Sequence, residues 1–242
     1  MSTSLKKAAS FLRFALLFLL VTAIIISYSP CEAAGTEVPV LLIDPGHGGL
    51  DGGAVAADGT TESSINLAIS LKLRDLCRLF GVSCAMTRDT ESLPYPATLS
   101  TIHEKKVWDQ RQRAETINAS AHSVLISIHQ NKYPDARPSG TQVLYASGEA
   151  SAQLGSLTHE LLRACLCPEN RRVPSPAPDS IYLLKHISCP AILVECGFLS
   201  NPAELVRVKS SDYQTGIAAI LLAGYSQFLL RTNENASPDG GT

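Results

Sequence analysis

The sequence has almost no excess charge of either sign, since 20 lysines and arginines face 22 aspartates and glutamates and the net charge at pH 7 is −2. A domain that binds nucleic acid commonly carries a basic patch or stripe, so this balance argues against a nucleic-acid partner. The chain also lacks repeats of solenoid length, which argues against a stacked-repeat architecture. Its 242 residues suit one domain with short appended segments.

Several common site motifs are missing as well. None of the seven cysteines belongs to a C-x-x-C pair, so a cysteine zinc site is not indicated. The glycines at positions 46–53 do not follow the G-x-G-x-x-G spacing of dinucleotide-binding loops, and no Walker lysine follows them. The H-E-x-x-H sequence of many zinc peptidases is absent. We interpret the cysteines as buried free thiols. For an exported protein, a disulfide between Cys77 and Cys84 is the alternative.

The first 36 residues differ in composition from the rest of the chain. Basic residues at positions 6, 7 and 13 precede an apolar run at 14–26, and small residues follow at 33–35. This order is typical of a secretory signal with a cleavage site. We predict that residues 1–36 are an export signal, either cleaved or retained as an N-terminal membrane anchor, with a buried core helix as the alternative. The protein would then act in the cell envelope, and this segment would be its only membrane contact.

Beyond this segment, short apolar strands alternate with amphipathic helices. The run at 40–43 ends in a glycine-rich turn, and 62–79 carries apolar residues at helical spacing. This alternation predicts the α/β class, with a mainly parallel central sheet and helices on both faces in a three-layer α-β-α sandwich. We predict a single domain at 37–231 and a disordered polar tail at 232–242. The other predicted strands are 82–87, 123–128, 142–145 and 190–197, and the other predicted helices are 106–119, 151–166, a short one from 201, and 213–230.

Three of the predicted strands lead into an ionisable residue, namely His47, His129 and Glu195. The carboxyl ends of parallel strands lie at one edge of a sheet, where ligands bind in open α/β folds. Glu62, at the start of the first helix, can return to the same edge. Two histidines and a carboxylate form the protein ligand set of many catalytic zinc sites, and a further carboxylate can act as a general base. The four residues fit this combination.

Each residue also has a simpler interpretation. His47 could be a structural residue of a glycine turn, Glu62 a favourable charge at a helix start, and His129 a core histidine. Glu195 is harder to explain structurally, because it lies in an apolar run without a basic neighbour, and burying an unpaired charge is costly. The remaining histidines are interpreted as exposed or structural side chains, and they are at positions 103, 122, 159 and 186.

Several motifs together resemble the zinc-dependent N-acetylmuramoyl-L-alanine amidases of the type 3 family, which cut bacterial peptidoglycan. They occur in the family's order and extend over about residues 40 to 230. One departure is Ser63-Ser64, where the family usually has a lysine and an acidic residue. The matching pieces are Ile43-Asp-Pro-Gly-His-Gly-Gly49, Asp51-Gly-Gly-Ala54, Glu62 before Ile65-Asn-Leu-Ala-Ile69, Met86-Thr-Arg88, Arg113 with Asn118, Ser127-Ile-His-Gln-Asn131, Ser139-Gly140 and Leu193-Val-Glu-Cys-Gly-Phe-Leu-Ser-Asn-Pro202.

The resemblance implies that the domain at 37–231 is an amidase catalytic domain with one Zn²⁺ per chain. His47, Glu62 and His129 would bind the metal, and Glu195 would be the catalytic carboxylate. The substrate would be the amide between the lactyl group of muramic acid and L-alanine. Asn131 and Arg113 are candidates for orienting that substrate, with strand-end capping and a helix salt bridge as structural alternatives.

The tract at 181–197 resembles, within this family, the germination-specific amidases of the spore cortex. This likeness implies a role in cortex maturation or germination, on the cortex side of the membrane. The chain shows no wall-binding repeat and no aromatic-rich module, so we expect an accessory envelope protein to assist it. A zinc peptidase and a non-catalytic wall-binding or regulatory protein are the rival functions.

Overall fold

The computed structural model describes residues 38–236, and side chains up to residue 233. The predicted export segment therefore lies outside the described residues, as do positions 237–242 of the tail. Within the described range, no helix is both long and apolar enough to span a membrane. The strands are β1 (Val40–Pro45), β2 (Cys84–Met86), β3 (Ser123–Asn131), β4 (Gln142–Tyr145), β5 (Ser175–Pro176) and β6 (Ala191–Phe198), and the helices are α1 (Glu62–Leu79), α2 (Ile102–Ala119), α3 (Glu149–Cys165), α4 (Tyr182–Lys185), α5 (Pro202–Lys209) and α6 (Ser211–Ala236).

The described strands form one six-stranded sheet in the order β2-β1-β3-β6-β4-β5. β1 pairs in parallel with β2 and β3, and β3 pairs in parallel with β6. β4 runs antiparallel to β6, and the short β5 is parallel to β4. The predicted α/β class with a mainly parallel sheet is confirmed. The one antiparallel pairing among the described strands is that of β4 with β6.

Helices cover both faces of the sheet. Successive residues of a strand point to opposite faces, so each strand contributes side chains to two cores. In β1, Leu41 and Ile43 face a large core beneath α1, α3 and α6, whereas Leu42 faces a smaller core. Ile117 of α2 and Leu184 of α4 belong to that second core. The central strands are thus buried on both faces, which explains why they are almost continuously apolar.

Two helix boundaries differ by four residues or more from the sequence prediction. α2 begins at Ile102 rather than 106, because Thr101 and Glu104 form a reciprocal capping box. α6 ends at Ala236 rather than 230, so it enters the segment at 232–242 that was expected to be disordered. No glycine or proline interrupts the chain there before Pro238, and the Thr232 hydroxyl donates to helix carbonyls in the preceding turn. The six cysteines within the described range are free thiols.

A buried carboxylate at the end of β1 connects four parts of the fold. Asp44 is 1% exposed, and its Oδ1 accepts from Arg113 Nη1 of α2 at 2.7 Å and from the Thr87 hydroxyl at 2.6 Å. Its Oδ2 accepts from the Ser127 hydroxyl of β3 at 2.6 Å. Burial alone would raise the pKa of Asp44, but the Arg113 charge and the two hydroxyl groups outweigh burial and lower it to about 2. The carboxylate is therefore held ionised.

We expect Ser127→Ala to lower the free energy of unfolding at neutral pH by roughly 1.5–3 kcal/mol, the contribution of a hydrogen bond to a charged group. The pKa of Asp44 falls from 3.8 to about 2 on folding, so its contribution is complete above pH 4 and is lost as the pH falls through about 2. The deficit of the variant should shrink over this window, which denaturant unfolding at a series of pH values would measure. Exposed Ser156→Ala is the matched control, and a deficit independent of pH would contradict this account.

The packing of α3 against α6 depends on a glycine at their contact. A Cβ atom at Gly224 would lie 2.6 Å from Thr158 Oγ1 and 3.3 Å from Thr158 Cα. The buried Thr158 hydroxyl has no hydrogen-bond partner within the described residues. The contact between α3 and α6 at Gly224 is therefore one of close packing, without a hydrogen bond from the Thr158 hydroxyl to the described residues.

Gly224→Ala should lower the free energy of unfolding by about 1 kcal/mol or more through overpacking. Helix propensity alone predicts the opposite sign, a gain of roughly 0.5–1 kcal/mol. The double variant Thr158→Ala/Gly224→Ala should recover most of the loss relative to Thr158→Ala. Denaturant titration of the three variants checks this, and a Gly224→Ala protein more stable than the parent would refute it.

Candidate active site

His47, Glu62 and His129 meet at the carboxyl edge of the sheet. The two imidazole rings are edge-to-face, with centroids 5.1 Å apart. Glu62 reaches between them, with Oε1 at 2.9 Å from His129 Nδ1 and Oε2 at 3.3 Å from His47 Nε2. One atom from each residue lies within 4.8 Å of the others, and no other such group occurs among the residues described. The predicted convergence of two strand ends with a helix start is observed.

The orientation of His47 is set by the loop that follows β1. His47 adopts a left-handed backbone conformation with φ of 60°, which is uncommon outside glycine. Its Nδ1 donates to Asp51 Oδ2 at 2.8 Å, and Lys106 Nζ lies 2.8 Å from Asp51 Oδ1. A histidine that donates through Nδ1 keeps Nε2 free as a ligand, and such carboxylate partners are usual around metal-binding histidines.

Two glycines make room for the ligand side chains. A Cβ atom at Gly46 would lie 2.2 Å from His129 Nε2. At Gly53, where φ is +68°, a Cβ atom would lie 2.7 Å from both Glu62 Oε2 and His47 Cδ2. The backbone therefore approaches all three ligand side chains more closely than any residue with a side chain would allow.

Glu62 is anchored by backbone and side-chain donors. It is 4% exposed, and it accepts from the backbone N–H groups of Ala54 at 2.9 Å and Gln130 at 3.1 Å. Asn66 Nδ2 lies 3.4 Å from Oε1. Burial opposes its ionisation, but bonds to the two histidines and their charge hold its pKa well below the usual range. Glu62 is thus a fixed carboxylate.

The pocket favours a positive charge between Asp51 and Glu62. Burial alone would lower the pKa of His47, but hydrogen bonds to Asp51 and Glu62 and the charges of both raise it to about 9. The same electrostatic preference suits a divalent cation. Two imidazoles and one carboxylate at these distances fit zinc, which commonly takes three protein ligands at catalytic sites.

Glu195 lies beside the cluster without joining it. The β3–β6 register places it opposite His129, and its Oε2 atom is buried with no hydrogen-bond partner in the described structure. Burial raises the pKa of Glu195 to about 7, and the nearby Glu62 charge adds to the effect while both histidines oppose it. A carboxyl group with a pKa near neutrality can both accept and donate a proton during catalysis.

The two candidate substrate residues occupy different places. Asn131 ends β3, two residues after His129, where its Nδ2 lies 3.4 Å from Gln142 Oε1 and its Oδ1 accepts from the Lys132 N–H. The Arg113 guanidinium is buried and binds Asp44, Asp109 and loop carbonyls. This places Arg113 behind the site, in the structural role that the sequence left open. Asn131 remains a predicted substrate contact.

Sequence reasoning assigned no role to several residues that shape the site. Asp51 and Arg88 lie within two of the motifs that resemble the amidase family. This was the only indication in the sequence that they contribute to the site. Lys106 carries no such signal, since its contact with Asp51 spans 55 residues of sequence and depends on where α2 packs. Asn66 and Gln130 also lie within these motifs, but the bond of 3.2 Å that Gln130 Nε2 donates to Asn66 Oδ1 behind Glu62 is seen only in the fold.

Comparison with known proteins agrees with this geometry. The family model Amidase_3, N-acetylmuramoyl-L-alanine amidase, matches residues 41–226. The germination-specific N-acetylmuramoyl-L-alanine amidase of Bacillus subtilis (strain 168) is 32% identical over 190 residues, covering 78% of this chain and 79% of that protein.

Solved structures show the same likeness. The CwlD amidase from Clostridioides difficile, in complex with the GerS lipoprotein, is 35% identical with a TM-score of 0.76, covering 80% of this chain and 99% of that one. The catalytic domain of CwlV from Bacillus (Paenibacillus) polymyxa var. colistinus shares the fold, with 24% identity, a TM-score of 0.66, and coverage of 79% and 98%. Since the family model covers most of the chain, the protein belongs to the Amidase_3 family of N-acetylmuramoyl-L-alanine amidases.

Proposed function

We propose that this amidase uses one zinc ion, held by His47, Glu62 and His129, to cleave the bond between the lactyl group of muramic acid and L-alanine in spore-cortex peptidoglycan. The observation that carries the proposal is the cluster of three ligand atoms within 4.8 Å, beside a carboxyl group with an unpartnered buried oxygen. When bound, zinc supplies a Lewis acid that polarises a carbonyl and makes water acidic enough to react near neutral pH.

The protein's own contribution begins with a fixed ligand geometry. Asp51 holds the His47 ring through Nδ1, and three donors hold Glu62. Because these groups are already ordered, little reorganisation is required when the reaction begins. Such preorganisation is a large part of electrostatic catalysis.

Glu195 moves the protons. As a base, it takes a proton from the attacking water, whose oxygen forms a bond to the lactyl carbonyl carbon. As an acid, it then gives that proton to the amide nitrogen, so the C–N bond breaks and L-alanine leaves with a neutral amine. Its pKa of about 7 suits both steps at neutral pH. The products are the muramic acid carboxyl group and a free stem peptide.

Likeness to a germination-specific amidase and to the CwlD amidase supports the cortex as the substrate. The predicted export segment at 1–36 would carry the domain to the outer side of the membrane, cleaved or as an anchor. The rival zinc peptidase would cut inside the stem peptide instead. A non-catalytic wall-binding or regulatory protein is disfavoured, because the sequence has lost neither Glu195 nor any of the three proposed ligands.

An accessory envelope protein is part of the proposal. The CwlD amidase structure contains the GerS lipoprotein, and this chain has no wall-binding repeat of its own. A partner that binds only the metal-competent form would raise the apparent zinc affinity by population shift.

His129→Ala should lose most of its zinc, because one of three protein ligands is removed. Glu195→Gln should keep its zinc and fold yet lose activity by roughly 10²-fold or more, as expected for a general acid-base residue. Metal analysis and digestion of purified cortex, with products identified by mass spectrometry, measure both effects. The expected product is an intact stem peptide with a free L-alanine amino group.

His103→Ala, on the exposed start of α2, is the control and should match the parent in both assays. Full zinc occupancy in His129→Ala would remove it from the ligand set. Near-normal turnover by Glu195→Gln would end its role as the base. Cleavage within the stem peptide would favour the peptidase.

The purified chain alone should bind zinc weakly and digest cortex slowly at micromolar zinc. Raising the zinc concentration to saturation separates two causes, since recovery of activity indicates weak metal binding and continued slowness indicates weak substrate holding. Zinc titration with parallel cortex digestion measures this. Complete loading and fast turnover without any added protein would rule out the need for a partner.

A further inference from the structure

We infer that Arg88 and Arg113 are positioning residues that together hold the backbone of the loop at 45–47 in the conformation that presents His47 to the metal. Neither guanidinium forms a hydrogen bond or ion pair with the three ligand side chains within the described structure. Both bind carbonyl oxygens of the loop instead, from behind. The inference rests on the proposed zinc site and adds residues that determine its affinity for metal.

The two guanidinium groups together bind the carbonyl oxygens of three successive residues, Pro45, Gly46 and His47. Arg88 Nε donates to Pro45 O at 3.0 Å and to His47 O at 2.7 Å, and its Nη2 donates to Gly46 O at 3.1 Å. Arg113 Nη1 donates to Pro45 O at 2.8 Å, and its Nη2 donates to His47 O at 2.6 Å. Pro45 O and His47 O are thus each shared by both arginines.

This arrangement explains the unusual backbone of His47. Successive carbonyl groups of an extended strand point to opposite sides, so three in a row cannot face one cluster of donors while β1 continues. The left-handed turn at His47, with φ of 60°, breaks the alternation between the Gly46 and His47 carbonyl groups. A left-handed histidine is strained, and such residues persist when the surroundings over-determine them. Five donor contacts from two arginines supply that determination.

The arginines are themselves fixed. Each is 6% exposed. Arg88 also donates to Ser63 O at the start of α1 and to Thr90 O, while Arg113 pairs with Asp44 and Asp109. The loop is therefore tied to β1, α1 and α2 at once. A Cβ atom at Gly48 would lie 2.8 Å from Arg88 Nε, so only glycine fits against the guanidinium at this point of the loop.

Lysine cannot replace arginine here. A guanidinium is a planar fork with five donors, whereas an ammonium group is a compact charge on a flexible stem. Arg88→Lys and Arg113→Lys keep the charge but lose the simultaneous contacts with several carbonyls. His47 would then sample other conformations, and metal binding would bear the cost of ordering the loop.

The test measures zinc affinity of the full chain by competition with a chromogenic chelator, for the parent, Arg88→Lys and Arg113→Lys. Arg111→Lys, exposed on the same helix as Arg113, is the matched control. We expect each of the first two variants to bind zinc at least roughly tenfold more weakly, as for the partners of metal ligands, while Arg111→Lys is unchanged. Cobalt absorption spectra of the two variants should differ from the parent, because the ligand geometry is altered.

Unchanged zinc affinity and an unchanged cobalt spectrum in folded Arg88→Lys and Arg113→Lys would overturn the inference, even if both melt at lower temperature. A parent protein that binds no zinc would instead overturn the proposed function. If a variant does not fold, arginine side-chain nitrogen NMR on the parent decides. Zinc should shift the Nε–H signals of Arg88 and Arg113 but not that of Arg111, and absence of any shift would contradict the inference.

Discussion

The buried ion pair between Asp44 and Arg113 is the interaction on which the site depends. Two ions removed from water are stable only when each finds its full set of partners. Asp44 meets this requirement with hydroxyl groups from Thr87 and Ser127, and Arg113 meets it with Asp109 and loop carbonyls. The pair therefore fixes both α2 and the loop after β1 against the sheet. Loss of Arg113 would leave Asp44 buried without a charged partner, whereas loss of Asp44 would leave Arg113 with Asp109 alone.

Chemistry at the sheet edge follows from differences in environment between carboxyl groups. Glu62 receives backbone N–H donors and lies between two imidazoles, so it remains ionised. Glu195 lies nearby on β6 but receives no donor at its buried oxygen, and its pKa rises towards neutrality. Environments that separate the pKa values of neighbouring acids are how active sites assign different roles to the same residue type. Here one carboxylate suits a cation and the other suits proton transfer.

The sequence was sufficient for the fold class and for the meeting of His47, Glu62, His129 and Glu195. The fold class followed from the alternation of strands and helices. The convergence of His47, His129 and Glu195 followed from the rule that the carboxyl ends of parallel strands share an edge, and Glu62 was placed there by its position at a helix start. The rule gives no information about which side chains support the ligands. Arg88 contacts His47 across 41 residues of sequence, and Lys106 of α2 reaches Asp51 of the loop after β1, a contact that depends on how α2 packs. Arg113 looked equally suited to substrate until its burial was known.

The most direct measurement is anomalous diffraction at the zinc edge from crystals of the zinc-loaded protein. The account predicts one peak at the carboxyl edge of the sheet, within bonding distance of His47, Glu62 and His129. The Glu195 carboxylate should lie beside the peak but outside its coordination sphere, free to exchange a proton. A peak bonded to Glu195, or one located away from the two histidines, would contradict the account.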